Sequence, residues 1–224
     1  MRALITGGSG AIGAALVREF SAGSSGINYE VIFTYLHNEK AALSLAEETG
    51  ARAEKCDVRD RESVFKIIKE YSQWTLHPHF DLLINNAGIS QIKLFTDITA
   101  EEWEDMLAVN LTGAFNFTQA VLPEMLRRKS GTIINISSIW GEIGASCEVH
   151  YSAAKAGLIG FTKALAKEVE PSGIKVHYIA PGAVESPMNS GFSEEDLQGA
   201  CVNSGGKILK PEDIAREVRR ILDS

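Results

Sequence analysis

Apolar runs enriched in β-branched residues recur along the chain, and between them lie longer stretches whose apolar positions repeat at helical spacing. The apolar runs fall at 3–6, 30–35, 51–56, 82–85, 132–137 and 175–179 and read as strands; the helical stretches cover 11–21, 39–48, 61–71, 101–128, 152–170 and 211–222. Strands that stay apolar instead of alternating are buried on both faces, so the pattern predicts an α/β fold. Its centre is a doubly wound parallel sheet with helices on both faces. Pro211 suits a first helical turn, where its missing N–H costs no hydrogen bond. From 186 to 206 the chain carries Ser, Gly, Asn and acidic residues without a clear strand, which reads as a mobile insertion placed to act as a lid over a substrate. In such sheets ligands bind beyond the carboxyl ends of the strands, so the loops there are the ones to search.

Composition narrows the class. The 224 residues fit one domain, 45% are hydrophobic and 23% charged, and there is no fixed-period repeat, so a soluble globular protein is expected. The start, "MRALITGGSG", has one basic residue and too short an apolar run for a signal peptide, and no stretch approaches a membrane span. A cytoplasmic location with no membrane partner follows as an expectation. Three widely spaced cysteines, Cys56, Cys147 and Cys201, form no zinc-binding pairs, so they read as reduced thiols and no metal is expected. A net charge of −7 argues against nucleic acid, whose phosphates need a basic face.

The stretch "TGGSGAIG", Thr6 to Gly13, sits where the first strand turns into the first helix. Glycines there let the backbone approach a pyrophosphate, whose charge is stabilised by the amides of a helix N-terminus. A tight turn without a ligand is the bland alternative. Three glycine patterns fit at once: Gly8, Gly10 and Gly13 spell GxGxxG, Gly7, Gly10 and Gly13 spell TGxxGxxG, and Thr6, Gly7 and Gly13 fit TGxxxGxG with Ala11 at its middle glycine. The loop alone does not choose. Candidate dinucleotide contacts are Gly7, Ser9, Gly10, Ala11, Ile12 and Gly13, joined by Thr34, Tyr35 and His37 in "FTYLHNEK" at the end of the second strand. An NAD site usually places a carboxylate there for the ribose 2′-hydroxyl. None stands at Thr34 to His37, and His37, Lys40 and a helix start at Asn38 would attract a 2′-phosphate, which favours NADP(H) over NAD(H). The competing reading makes His37 and Lys40 plain solvated surface.

Of five tyrosines only Tyr151 has a lysine four residues later, at Lys155. On a helix that spacing puts both on one face. A phenol titrates near 10, and a nearby cation lowers it toward the range useful for proton exchange. Ser138, at a strand end, can hydrogen-bond an oxygen on which charge develops.

Thr6 to Gly13, Asp57, "NNAG" at Asn85 to Gly88, Asn110 in "AVNLTG", Ser138, Tyr151, Lys155, and "PG" at Pro181 and Gly182 together resemble a short-chain dehydrogenase/reductase along nearly the whole chain. The resemblance implies a Rossmann fold and an NAD(P)-dependent oxidoreductase. An epimerase-type relative would instead need a sizeable second domain beyond this length. By resemblance Tyr151 is the general acid for ketone reduction, Lys155 binds the nicotinamide ribose and lowers the Tyr151 pKa, Ser138 holds the carbonyl, and the Asn110 main chain supports a relay water. Asp57 and Val58 lie at adenine, Asn86, Ala87 and Gly88 at the adenosine ribose, and Pro181, Gly182, Val184 and Ser186 near the carboxamide. Ser186 replaces the usual threonine, and Gly10 occupies a place where many NADP-preferring relatives carry arginine.

The broad resemblance is to β-ketoacyl carrier-protein reductases, which implies a small-molecule or carrier-bound ketone as substrate. The narrower stretch "SSIWGEIGASCEVHYSAAK" is similar to reductases of the 5-aminopentanone modification on elongation factor P. Trp140, Glu142, Cys147 and Glu148 would then face the substrate opening, where a carboxylate could meet an amine. Against this, Trp140 reads equally as loop packing and the two glutamates as solvated surface. "RRK" at Arg127 to Lys129 offers a docking patch for an acidic carrier, although cations also suit a last helical turn. Relatives continue into a seventh strand and a "VDGG" segment that this sequence lacks, so a seventh strand is expected to be missing and a tetramer is not implied. A homodimer through the helices at 101–128 and 152–170 is expected. The rival from another class is an NADP-binding sensor without turnover, which the presence of Ser138, Tyr151 and Lys155 disfavours.

Overall fold

The computed structural model describes residues 1–23, 29–73, 79–186, 201 and 206–223. Its strands are β1 (Arg2–Ile5), β2 (Glu30–Tyr35), β3 (Arg52–Lys55), β4 (Leu82–Asn85), β5 (Gly131–Ile136) and β6 (Ile174–Ile179). All pair in parallel, in the order β3-β2-β1-β4-β5-β6. The helices are α1 (Ala11–Ser21), α2 (Glu39–Thr49), α3 (Arg61–Gln73), α4 (Ala100–Leu107), α5 (Gly113–Arg128), α6 (Trp140–Ile143), α7 (Val149–Val169) and α8 (Pro211–Leu222). This is the expected doubly wound Rossmann-type α/β architecture. The winding direction reverses between β1 and β4, where a crevice opens at the carboxyl ends of the strands.

The unbroken apolar character of the strands follows from two core layers. In β1, Ala3 and Ile5 face one layer and Leu4 the other; in β2, Val31, Phe33 and Tyr35 oppose Ile32; in β4, Leu82 and Ile84 oppose Leu83. The first layer is closed by Leu16 and Phe20 of α1, Leu45 of α2, and Ile214 and Val218 of α8. The second is closed by Ile67 of α3, Phe117 and Val121 of α5, and Val169 of α7. Arg219 of α8 ties α1 down, with Nε 3.1 Å from Glu19 Oε1 and its guanidinium 4.4 Å from the Phe20 ring centroid. Buried polar rungs cross the sheet: Asn85 donates to Thr118 and to Asn135 Oδ1, and Asn135 donates to Thr162. These rungs fix α5 and α7 against β4 and β5.

The structure redraws three expectations. The helix expected over 101–128 is two helices joined by one wide π-type turn, Ala108–Thr112, that brings Asn110 inward. Thr99 and Glu102 close a capping box at the start of α4. The helix expected from 152 starts at Val149, so Tyr151 already lies in its first turn. The basic "RRK" stretch is engaged within the chain: Arg127 pairs with Glu124, Arg128 pairs with Asp81, and Lys129 ends α5 in the left-handed conformation. Apart from Ser186, Cys201 and Gly206, the expected lid insertion lies outside the described residues. Among the described residues no helix is long and apolar enough to cross a membrane.

Phe117 is completely buried in the second layer, beside the sheet and α3. Phe117→Ala should destabilise the fold by about 3–5 kcal/mol, read as a lower urea midpoint.

Candidate active site

Two loops wall the crevice, one after β1 and one after β4. The Thr6 hydroxyl accepts from the amides of Asn86 (2.9 Å) and Ala87 (3.0 Å), and Asn86 Nδ2 donates back to the carbonyls of Thr6 (3.0 Å) and Gly7 (3.2 Å). Gly7 has φ 67°, and a Cβ there would lie 2.8 Å from Ala87 Cα; a Cβ on Gly13 would lie 2.1 Å from the Gly7 carbonyl oxygen. Both positions therefore require glycine. Ala11, by contrast, opens α1 behind Gly10, whose lack of a side chain leaves the helix amides uncapped toward the crevice.

The crevice is a cavity of about 510 Å³. Gly7, Ser9, Gly10, Ala11, Ile12, Gly13, Thr34, Tyr35, His37, Asp57, Val58, Asn86, Ala87, Gly88, Asn110, Tyr151, Lys155 and Ser186 all line it. The remaining expected contacts do not. Val184 is turned into the core and pairs with Leu209, and Pro181 uses its carbonyl to accept from the Ile139 amide. Pro181, Gly182 and Val184 thus stand behind the lining, leaving Ser186 as the member of that group at the cavity.

Among the lining residues that the sequence does not announce are Arg59 and Asp105. Arg59 donates from Nε and Nη2 to the Asp57 carboxylate and from Nη1 to Asp105 of α4. These bonds hold Asp57 below the usual carboxylate range. The Arg59–Asp105 pair spans 46 positions, and no local spacing announces it.

Tyr151 and Lys155 line the other end of the cavity, whereas Ser138, expected there, is buried and does not line it. The Ser138 hydroxyl accepts from the Trp140 amide at 3.2 Å, and it pulls the pKa of the Tyr151 phenol down. Lys155 is 4% exposed, and its Nζ donates to the Ile136 carbonyl at 2.9 Å and lies 5.8 Å from the Tyr151 ring centroid. Ser137 is structural, its hydroxyl donating to the Lys155 carbonyl at 3.0 Å. Burial pushes the Tyr151 phenol up to about 12, with Ser138 pulling down and the Glu148 charge pushing up. Burial pushes Lys155 down to about 8. Among the protein's own groups, burial therefore outweighs the lowering of the phenol expected from Lys155. Asn110 spends its side chain on structure: Nδ2 donates to the carbonyls of Ile89 and Met106, both at 3.0 Å, and Oδ1 accepts from the Ile89 amide at 3.3 Å. Its side chain fixes the loop after β4 to the π-type turn.

The residues between Ser138 and Tyr151 divide. Trp140 packs against Ile139, Ala183 and Cys201, so its ring serves packing. Glu142 is exposed and accepts from the Tyr178 hydroxyl at 3.4 Å, so it points to β6 at the sheet edge instead of the substrate opening. Cys147 has φ 60°, a left-handed conformation uncommon outside glycine, and its carbonyl accepts from the Lys93 amide at 2.7 Å. Neither Trp140 nor Cys147 lines the cavity. Glu148 is buried, contrary to its reading as solvated surface.

The lining suits a dinucleotide: helix amides at Gly10 for phosphate, a Gly88 position where a Cβ would lie 2.7 Å from Asn110 Oδ1, and an orphaned buried hydroxyl at Thr34. A model of the short chain dehydrogenase family matches residues 1–197. A 3-oxoacyl-acyl-carrier-protein reductase FabG from Aquifex aeolicus (strain VF5) is 39% identical over 222 residues, covering 96% of this chain and 87% of that protein. An acetoacetyl-CoA reductase from Shinella zoogloeoides is 39% identical over 218 residues, covering 96% and 88%. A solved structure, "Crystal structure of gox2181", is similar with a TM-score of 0.86 at 28% identity, covering 97% of this chain and 86% of that one.

The buried Glu148 gives a pH signature. Desolvation raises it from its ordinary 4.5 to about 7, so the folded state holds a proton that the unfolded state releases. Its contribution to stability is therefore full below about pH 4.5 and lost as pH rises through about 7. Glu148→Gln should gain on the wild type by up to about 3 kcal/mol between roughly pH 5 and pH 8, measured by urea unfolding of both proteins across that range.

Proposed function

The chain belongs to the short-chain dehydrogenase family and is an NAD(P)-dependent oxidoreductase, and from that premise we propose that it reduces a ketone to a secondary alcohol using NADPH. The observation that carries this reading is one cavity lined both by Tyr151 and Lys155, with Ser138 acting on the Tyr151 phenol from behind, and by a glycine loop and an uncapped helix start. The intact set also counts against a sensor without turnover. The chain is taken to work as one domain, and the homodimer is retained as part of the proposal.

In this reading the amides from Ser9 to Ile12 hold the pyrophosphate, Asp57 and Val58 meet adenine, Asn86 to Gly88 the adjacent ribose, and Ser186 the carboxamide. His37, exposed at the mouth with no carboxylate among Thr34 to His37, favours the 2′-phosphate. When bound, the reduced nicotinamide supplies hydride to the carbonyl carbon. Tyr151 supplies the proton to the carbonyl oxygen, and a phenol held near 12 stays protonated at neutral pH, as an acid must before it acts. Ser138 donates to the same oxygen as charge builds on it. Lys155, brought down to about 8, can return a proton toward the tyrosinate, through a water held by the Asn110 main chain. The substrate class follows the named relatives: a β-ketoacyl group on carrier protein or coenzyme A. A second reading, reduction of an amine-bearing ketone such as the 5-aminopentanone modification on elongation factor P, rests on the resemblance of residues 137–155 to reductases of that modification.

Tyr151→Phe should lower kcat for ketone-dependent NADPH oxidation by about 10²–10⁴-fold while leaving NADPH binding within about threefold. Loss of both together, or of neither, would count against the role given to Tyr151. His37→Asp should move the NADPH-to-NADH ratio of kcat/KM toward NADH by about tenfold or more, because a carboxylate there accepts the ribose hydroxyl and repels the phosphate.

A further inference from the structure

Between β3 and α3 the chain runs Cys56, Asp57, Val58, Arg59, Asp60, and the first four of these line the cavity, as does Asp105 of α4. Arg59 joins the loop to the helix. Its Nε lies 3.0 Å from both Asp57 carboxylate oxygens, its Nη2 lies 2.6 Å from Oδ2, and its amide donates to Oδ1 at 2.9 Å, while Nη1 donates to Asp105. Stability does not account for this clasp, because the Arg59 and Asp105 side chains are 41% and 45% exposed and ion pairs so exposed contribute little. Tyr151 and Lys155, at the other end of the cavity, make no use of it.

What the clasp does fix is the bond Asp57 can still accept. An ionised carboxylate offers about four acceptor positions. The amide, Nε and Nη2 of Arg59 occupy three of them, so the carboxylate has capacity for about one more donor, in a direction set by the guanidinium plane. Pairing with Arg59 also keeps Asp57 ionised beside the like charge of Asp60, so the group accepts and does not donate. Purine bases differ in this respect at position 6: adenine carries an amine, which donates, and hypoxanthine carries an oxo group, which accepts.

We propose that Arg59 is a positioning residue for the base of the cofactor: anchored on α4 by Asp105, it holds the Asp57 carboxylate turned to accept one N–H from a purine 6-amino group. The inference rests on the dinucleotide reading, in which Asp57 meets adenine, and adds the residues that make this contact selective. Arg59 acts through Asp57. A 6-oxo base brings a second acceptor against the carboxylate, which costs binding, whereas an Asp57 released from Arg59 can turn to solvent and no longer tells the two bases apart. Two elements must hold the guanidinium for this to work, which is the use the structure has for a bond across 46 positions of sequence.

The test titrates the protein with NADPH and with its hypoxanthine counterpart, in which a 6-oxo group replaces the 6-amino group, and reads Kd from nicotinamide fluorescence without any ketone present. The wild type should bind NADPH more tightly by about tenfold or more. Arg59→Gln should bring the ratio of the two Kd values to within about threefold, with thermal unfolding showing that the variant is folded, and Arg59→Lys, which keeps the charge without the fork, should fall between. An unchanged ratio in Arg59→Gln, with both cofactors weakened alike, would mark a merely structural clasp and overturn the proposal while leaving the cofactor reading intact. A lysine variant that matched the arginine would overturn the orienting role. Equal or tighter binding of the hypoxanthine cofactor by the wild type would overturn the proposal together with the Asp57 contact to adenine. Binding of neither compound would defeat the dinucleotide reading itself and the proposal with it.

Discussion

The site depends on a reciprocal fastening between β5 and α7. Lys155 reaches down to donate its ammonium proton to the Ile136 carbonyl at the end of β5, and Ser137, one residue on, donates its hydroxyl to the Lys155 carbonyl. Both bonds are buried, so breaking either would strand a polar group away from water. Together they set the rotation of the first turn of α7 against the strand end, and with it the approach of the Tyr151 phenol to Ser138. Gly141 belongs to the same arrangement, since a Cβ there would lie 2.8 Å from the Lys155 carbonyl carbon. The chemistry is thus fixed by backbone contacts that a list of polar side chains would not reveal.

From that fastening the electrostatics follow. The same burial that locks Lys155 lowers its pKa and raises that of Tyr151, so the phenol stays protonated and, in the proposed reduction, the lysine is the readier source of the proton that restores it. At the far side of the crevice the logic differs. There the Thr6 and Asn86 bonds hold two loops together, glycines at 7 and 13 let them close, and Arg59 pins Asp57 to α4. One end of the cavity is a set of donors suited to phosphate, and the other a buried acid–base pair.

Much of this was legible because it is local. The two-layer core is written in strands that stay apolar, and the Tyr151–Lys155 spacing needs only helical geometry. The unread parts are those where distant segments decide. Arg59 and Asp105 meet only after α4 packs beside the loop that follows β3. The π-type turn at Ala108–Thr112 adds a residue to a helix without a proline or glycine inside it to mark the change. Pro181, Gly182 and Val184 were expected at the cavity, yet pairing of Val184 with Leu209 draws that segment behind it. Glu148 reads as surface by residue type, yet it is buried, next to Cys147 whose carbonyl accepts from the distant Lys93 amide.

The central claim is that this cavity brings a nicotinamide and a ketone together beside Tyr151. Its most direct measurement is a single-turnover reaction with NADPH deuterated at the transferable position of the nicotinamide and a ketone the protein reduces, with the alcohol analysed by mass spectrometry and NMR. The account predicts one deuterium on the carbinol carbon, a primary isotope effect on the hydride step, and loss of that turnover in Tyr151→Phe. Alcohol without deuterium at that carbon, or deuterium transfer that proceeds equally without the phenol, would contradict it.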